Sequence, residues 1–228
     1  DETDELRQLN YAFDKLVINL KKSMEKEIKI NVVNSLDDYQ KVVAIRSIVF
    51  VGEQKLPYSV EFGTNELCCT YILATVNGEP AGTVRIHQFK EFAKLERMAV
   101  LAEYRRTPLA EQIRQKALDI CSAKGITKIY GLCRRELLPH WSKFGYHPVE
   151  GAPGIKRSNM DLVPILVDIQ EAKDIIKFTD HPDRLMEQEG EWRDNCMYFQ
   201  QPFNVNDQTA VIIRKRNELR QQRKSSEY

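Results

Sequence analysis

The stretch KLERMAVLAEYRRTPLAEQIRQKALDIC, Lys94 to Cys121, decides how this chain is read. Leu95 to Val100 has the composition of a strand. A short basic turn follows, carrying Arg105 and Arg106. A helix comes next, with Leu109, Ile113, Ala117, Leu118 and Cys121 on one face. Gly125 is placed to end that helix. The basic turn thus lies at a helix mouth, where unpaired N–H groups and two arginines suit a phosphate. It holds no glycine, although phosphate-cradling loops usually carry several.

Working outward, Cys69 to Val76 and Ala81 to Phe89 are β-rich runs flanking Asn77-Gly78, a hairpin signal. Further back, KINVVN (Lys29 to Asn34) reads as a strand, and Ser35 with Asp38 marks a helix start. Tyr39, Val42, Val43, Ile45 and Ile48 lie mostly on one side of that helix. It runs into a loop punctuated by Gly52 and Pro57. Toward the C-terminus, Lys128 to Cys133 is a strand. ELLPHWSKFGY is a short helix and glycine turn, and Met160 to Ile169 is a last strand, in which Pro164 argues for an edge or a bulge. The centre therefore reads β-α-β-β-β-α-β-α-β, an α+β layout around a mixed sheet.

The ends are of another character. Residues 4–25 carry a heptad-like stripe of Leu6, Leu9, Phe13, Leu16 and Leu20, which suits either docking on the chain's own domain or a homodimer contact. The final stretch is basic and is expected to be a solvated helix; aromatics do not interleave with its cations, so nucleic acid is not the expected partner. The organisation expected is an N-terminal helical extension (1–27), a central domain (28–169) and a C-terminal extension (170–228).

Composition narrows the classes. The 228 residues are 42% hydrophobic with a formal net charge of +1, enough for a core and too balanced to recruit nucleic acid or membrane by field alone. No apolar run reaches about 18 residues, so no membrane span is expected, and no leader is read at the start. The five cysteines, Cys68, Cys69, Cys121, Cys133 and Cys196, fit neither a zinc spacing nor a disulfide framework, and free thiols in a cytoplasmic setting are expected.

With the elements in this order, five strings resemble the GNAT superfamily of acetyl-CoA-dependent N-acetyltransferases. AIRSIVFVGEQKLPYSVEF is similar to the family's first helix and substrate loop, EPAGTVRI to its hairpin strand with Gly-x-x-Arg, and KLERMAV to its central strand. RRTPLAEQIRQKAL is similar to its pyrophosphate loop and helix, and HWSKFGYHPVEG to its closing helix-turn. The resemblance spans roughly Ile28 to Ile169. It implies a three-layer α+β fold whose mixed, mostly antiparallel sheet is flanked by helices. It also implies an acyltransferase moving acetyl from acetyl-CoA to a primary amine, of a small molecule or a protein, without a metal.

The same resemblance suggests site residues. Met98, Ala99 and Val100 would offer backbone to the pantetheine arm. Arg105, Arg106, Thr107, Leu109 and Ala110 would hold the pyrophosphate, with Pro108 where the family has glycine. That exchange removes one neutral donor, about 0.5–1.5 kcal/mol. Glu96 is the candidate general base, with a salt bridge to Arg97 or Arg85 as its alternative. Trp141 stands where many relatives place an acid tyrosine and reads as pocket wall. His140 and Tyr146 are then the candidates to protonate the leaving thiolate. Glu53, Glu61 and Arg85 are candidates for the acceptor side. Cys133 lacks a His-plus-carboxylate pattern for an acyl-cysteine route. Two other readings remain open: a catalytically silent CoA-binding or protein-interaction module on this frame, and a longer-chain N-acyltransferase.

Overall fold

The computed structural model describes residues 11, 13, 15, 26–63, 65–157 and 160–192. Most of the helix expected over 4–25, and the basic terminal segment, lie outside the described residues. The chain divides into two compact units between Ile176 and Lys177.

The first unit begins with β1 (Ile28–Val32) and α1 (Leu36–Arg46). The α1 helix starts at Ser35, whose Oγ accepts from the Asp38 N–H at 3.1 Å. The segment from Ser47 to Glu53, expected to be entering a loop, instead continues α1 as a π-helical turn. Wider coils of this kind often mark functional sites. A short α2 (Tyr58–Glu61) precedes the hairpin of β2 (Thr70–Val76) and β3 (Glu79–Gln88). Asn77 and Gly78 both take positive φ (54° and 85°), as the tight hairpin turn requires.

β4 (Ala93–Val100) leads to α3 (Leu109–Ala123), β5 (Lys128–Arg134) and α4 (Leu138–Ser142). The short β6 (His147–Pro148) and β7 (Ile155–Arg157) then precede β8 (Met160–Asp168). Strand order is β1-β2-β3-β4-β5-β8-β6, with β7 also on β8. Every pairing is antiparallel except β4 with β5.

Helices cover both faces of this sheet. On one, Val42 and Ile45 of α1 and Val49 of the π turn pack with Tyr71, Leu73 and Ala99. On the other, α3 presses so closely on β3 that a Cβ at Gly82 would lie 2.6 Å from Ile113 Cδ1 and 3.1 Å from the Ala99 carbonyl. Glycine there is a packing requirement.

Pro164 does not mark an edge: β8 runs between β5 and the short β6 and β7. Its carbonyl accepts from Val149 N–H at 3.0 Å; proline cannot return that bond, and the Val149 carbonyl instead accepts from Ala152 N–H at 3.3 Å. After β8 the chain stays with this unit to Ile176, whose N–H bonds the Ala123 carbonyl at 2.8 Å.

The described part of the second unit holds one short helix, α5 (Pro182–Leu185), with His181 Nδ1 accepting from Asp183 N–H at 3.3 Å. Among the described residues no helix is long and apolar enough to cross a membrane.

Candidate active site

The parallel pair β4 and β5 is joined at only two positions, Ala93 with Ile129 and Lys94 with Tyr130. Beyond them a cavity of about 520 Å³ lies between the strands, lined by Leu95 to Met98 on one side and Gly131 to Arg134 on the other. A backbone edge without a strand partner, next to a cavity, suits an extended ligand that adds main-chain hydrogen bonds. Phe50 and Gln54 from the π turn and its exit close one end, with Leu56 and Val60. Arg114, Trp141 and Tyr146 contribute elsewhere.

A bulge in β4 shapes this wall. Thr83 pairs with Ala99 and Arg85 with Glu96, so Val84 faces two residues, Arg97 and Met98. Arg97 takes the extra position at φ 55°, unusual for a residue with a Cβ. From there its Nη2 donates to the Val60 carbonyl at 2.8 Å, and its Nε lies 2.9 Å from Glu61 Oε2. The strained backbone thereby fastens α2 over the cavity.

Behind the wall runs a chain of alternating charges. Lys94 Nζ contacts Glu96 Oε2 at 2.7 Å, and Arg85 contacts Glu96 Oε1 at 2.8 Å. Arg85 also donates to Glu66 at 2.6 Å, Arg46 to Glu66 at 2.6 Å, and Arg46 Nε to Glu61 at 2.6 Å. Arg46 and Glu61 are both fully buried. Tyr71 and Tyr39 hydroxyls complete the shell of Glu66, at 2.6 and 3.3 Å. Burial opposes charge on Glu66, yet hydrogen bonds from Arg46 and Tyr71 hold its carboxyl down to about 2.

Glu96 lines the cavity with both carboxylate oxygens paired. Burial would raise its pKa; the bond from Lys94 and the charge of Arg85 outweigh that and hold it below the ordinary glutamate value. Its salt-bridge partners are Arg85 and Lys94, with Arg97 turned away to Glu61. Arg85 and Glu61 serve this internal chain and do not line the cavity. Glu53 pairs with Arg105, whose Nε also donates to the Val100 carbonyl at 2.9 Å.

At the helix mouth the loop bonds to itself. Thr107 N–H donates to the Tyr104 carbonyl at 3.2 Å, and Leu109 N–H to Thr107 Oγ1 at 3.3 Å. Pro108 occupies the position before α3. Arg106 is exposed, and Ala110 is half-buried in the first turn of α3. Met98 and Trp141 line the cavity, whereas Ala99 is buried against α1 and Val100 is buried nearby.

Tyr146 is buried, and burial pushes its hydroxyl up to about 12 despite the nearby Arg114 charge. It therefore stays protonated at neutral pH. His140 lies outside the lining, exposed, with its ring edge against Trp141 and Phe144. Cys133 reaches the cavity, but burial and then Glu136 raise its thiol pKa, which disfavours a nucleophilic thiolate.

Sequence reasoning missed Arg114, Lys94, Arg46 and Glu66. Arg114 is 8% exposed, lies 4.5 Å from the Phe144 ring centre, and has no carboxylate partner among the described residues. Its Nε has no hydrogen-bond partner. Its place beside Ile113, at the border of the apolar helix stripe, was the available signal. Nothing local points to Glu66, which its partners reach from three separate elements.

A mixed sheet splayed at a single parallel joint, a helix opening at the end of the splayed strand and a cavity in the gap define the acyl-CoA N-acyltransferase fold. Solved structures agree: Escherichia coli ElaA is 20% identical with a TM-score of 0.56, over 62% of this chain and 100% of its own. The ribosomal-protein-S18-alanine N-acetyltransferase of E. coli is 15% identical with a TM-score of 0.52, over 67% of this chain and 100% of its own.

The chain belongs to the acetyltransferase (GNAT) family, whose model matches residues 39–140. Among its relatives, Bacillus subtilis YyaT, an uncharacterized protein, is 32% identical over 114 residues, 48% of this chain and 76% of YyaT. A second B. subtilis protein, assigned by name to the acetyltransferases, is 29% identical over 140 residues, 57% of this chain and 94% of its own.

Proposed function

We propose that this acyltransferase moves an acetyl group from acetyl-CoA to a primary amine by direct attack within a ternary complex. The observation that carries the reading is the cavity between β4 and β5, bounded on one side by the unpaired edge of β4. In the reaction a nitrogen–carbon bond forms as the carbon–sulfur bond of the thioester breaks. The amine gives up a proton and the departing thiolate gains one.

Glu96 is the proposed acceptor of the amine proton, directly or through water. Its two cationic partners keep it ionised, ready to accept, at the expense of proton affinity. Tyr146, protonated and within the lining, is the proposed donor to sulfur, with the Arg114 guanidinium stabilising the negative charge that develops there. His140, outside the lining, has no part in this scheme. Arg106 is the proposed countercharge for the pyrophosphate, because Arg105 is tied to Glu53. The alternating charges behind Glu96 hold it against the sheet, and Arg97 holds α2 as a roof.

A second reading rests on the helix-mouth loop. Two of its N–H groups and one of its arginines are already engaged within the protein. A frame that no longer binds acetyl-CoA, or that takes another acyl thioester, follows from the same residues. The Leu56, Leu95, Leu132, Leu137 and Leu162 side chains around the cavity would accept an acyl chain longer than acetyl.

Titration calorimetry with acetyl-CoA and with a longer acyl-CoA separates these readings, followed by thiol release in the presence of a panel of primary amines. One-to-one acetyl-CoA binding with amine-dependent thiol release is the expected result. A folded sample giving no acetyl-CoA heat would overturn the proposal in favour of the second reading.

A further inference from the structure

We propose that Cys68, Cys69 and His87 form a binding site for one zinc-class divalent ion. Their ligand atoms, two sulfurs and a ring nitrogen, lie within 4.8 Å of one another. The spacing of cysteines along the chain conceals the cluster, because its third member comes from across the hairpin.

The topology explains the meeting. Thr70 pairs with Ile86 at the end of the β2–β3 ladder, so the next positions, Cys69 and His87, stand opposite each other. Adjacent side chains on a strand point to opposite faces. Here Cys68 instead ends a 3₁₀ turn (Glu66–Cys68) and Cys69 begins extended backbone at φ −123°, ψ 153°. That change of conformation brings two neighbouring thiols to one side.

The chemistry suits a soft ion. Zinc is held by thiolate sulfur at about 2.3 Å and imidazole nitrogen at about 2.0–2.1 Å. Ligand atoms of a tetrahedral site are then roughly 3.5–3.8 Å apart, so modest side-chain rotations close the present cluster. Two thiolates would neutralise the ion's charge. Cys68 is exposed and gives an entry path; its present contact, to the Asn65 carbonyl at 3.5 Å, is weak. Three protein ligands leave a fourth position for water or an exogenous donor, and magnesium and calcium would be refused. An ion here would clip the corner that carries Glu66 to the end of β3.

The test uses the full chain, reduced and stripped of metal, titrated with Zn²⁺ against a chromophoric chelator. Expected are one bound equivalent and a thiolate-to-metal charge-transfer band when Co²⁺ is substituted. Cys68→Ser, Cys69→Ser and His87→Ala should each weaken binding by more than about 100-fold, beyond the usual effect of an outer-shell partner. Cys196→Ser should leave it unchanged. Because Cys68 is exposed, Cys68→Ser carries the test should the other variants fold poorly. No stoichiometric zinc, or stoichiometric zinc unaffected by Cys68→Ser, overturns the proposal. Binding that a well-folded His87→Ala variant retains also overturns it, by reducing the site to a dithiol.

Discussion

Replacing Glu66 by Gln removes the charge that joins Arg46 to Arg85. Against the effect of burial, hydrogen bonds from Arg46 and Tyr71 hold the carboxyl at about 2, well below the ordinary glutamate range. Holding it ionised so far below that range corresponds to about 3 kcal/mol of stability at neutral pH. The side chain is 14% exposed, so solvent screens little of it. Breaking one partner out of a buried ionic cluster usually costs about 3–5 kcal/mol. Arg46 keeps Glu61 and Arg85 keeps Glu96, which places the expectation at the lower end, about 3 kcal/mol.

For a domain of this size that corresponds to a fall in Tm of about 6–12 °C. Urea unfolding followed by circular dichroism reads it directly. The pKa is depressed on folding, so this stability is full above 4.5 and drains as pH falls toward 2. The gap between parent and variant should therefore be about 1 kcal/mol smaller at pH 4 than at pH 7. A gap below about 1 kcal/mol at pH 7, or one that does not narrow on acidification, would refute the assignment of Glu66 as the keystone of the network.

Three further outcomes bear on the sheet and the chemistry. Glu96→Gln should lower kcat by about 10²–10⁴ and leave acetyl-CoA affinity within about twofold, since its carboxylate is proposed to accept a proton rather than to hold the donor. Steady-state kinetics with calorimetry checks this, and an unchanged kcat would remove Glu96 from the role. In the parent, the acid limb of the rate profile due to Glu96 should lie below the ordinary glutamate value, because Lys94 and Arg85 depress it. Gly82→Val should cost about 1–3 kcal/mol or more in unfolding free energy, because its Cβ would press on Ile113 and on the rigid Ala99 carbonyl. A variant as stable as the parent would mean that α3 does not bear on β3 as described.

What the sequence alone determined was local. The hairpin at Asn77-Gly78, the start of α1 at Ser35, the end of α3 at Gly125 and the succession of the main strands and helices along the chain all follow from residues a few positions apart. The resemblance in KLERMAV and the turn after it pointed to the strand that bounds the cavity. Only the tertiary structure decided which side chains face that cavity. Glu61 and Glu53 flank the expected acceptor loop in sequence and Arg85 lies on the hairpin strand, yet each is taken by a partner 15 to 52 residues away or across a strand pair. Register and a one-residue bulge settled that, since shifting a strand by one position exchanges its faces. Arg97 illustrates the point: the string KLERMAV contains it, but only the bulge, with φ at 55°, turns it from the strand to the roof of the site.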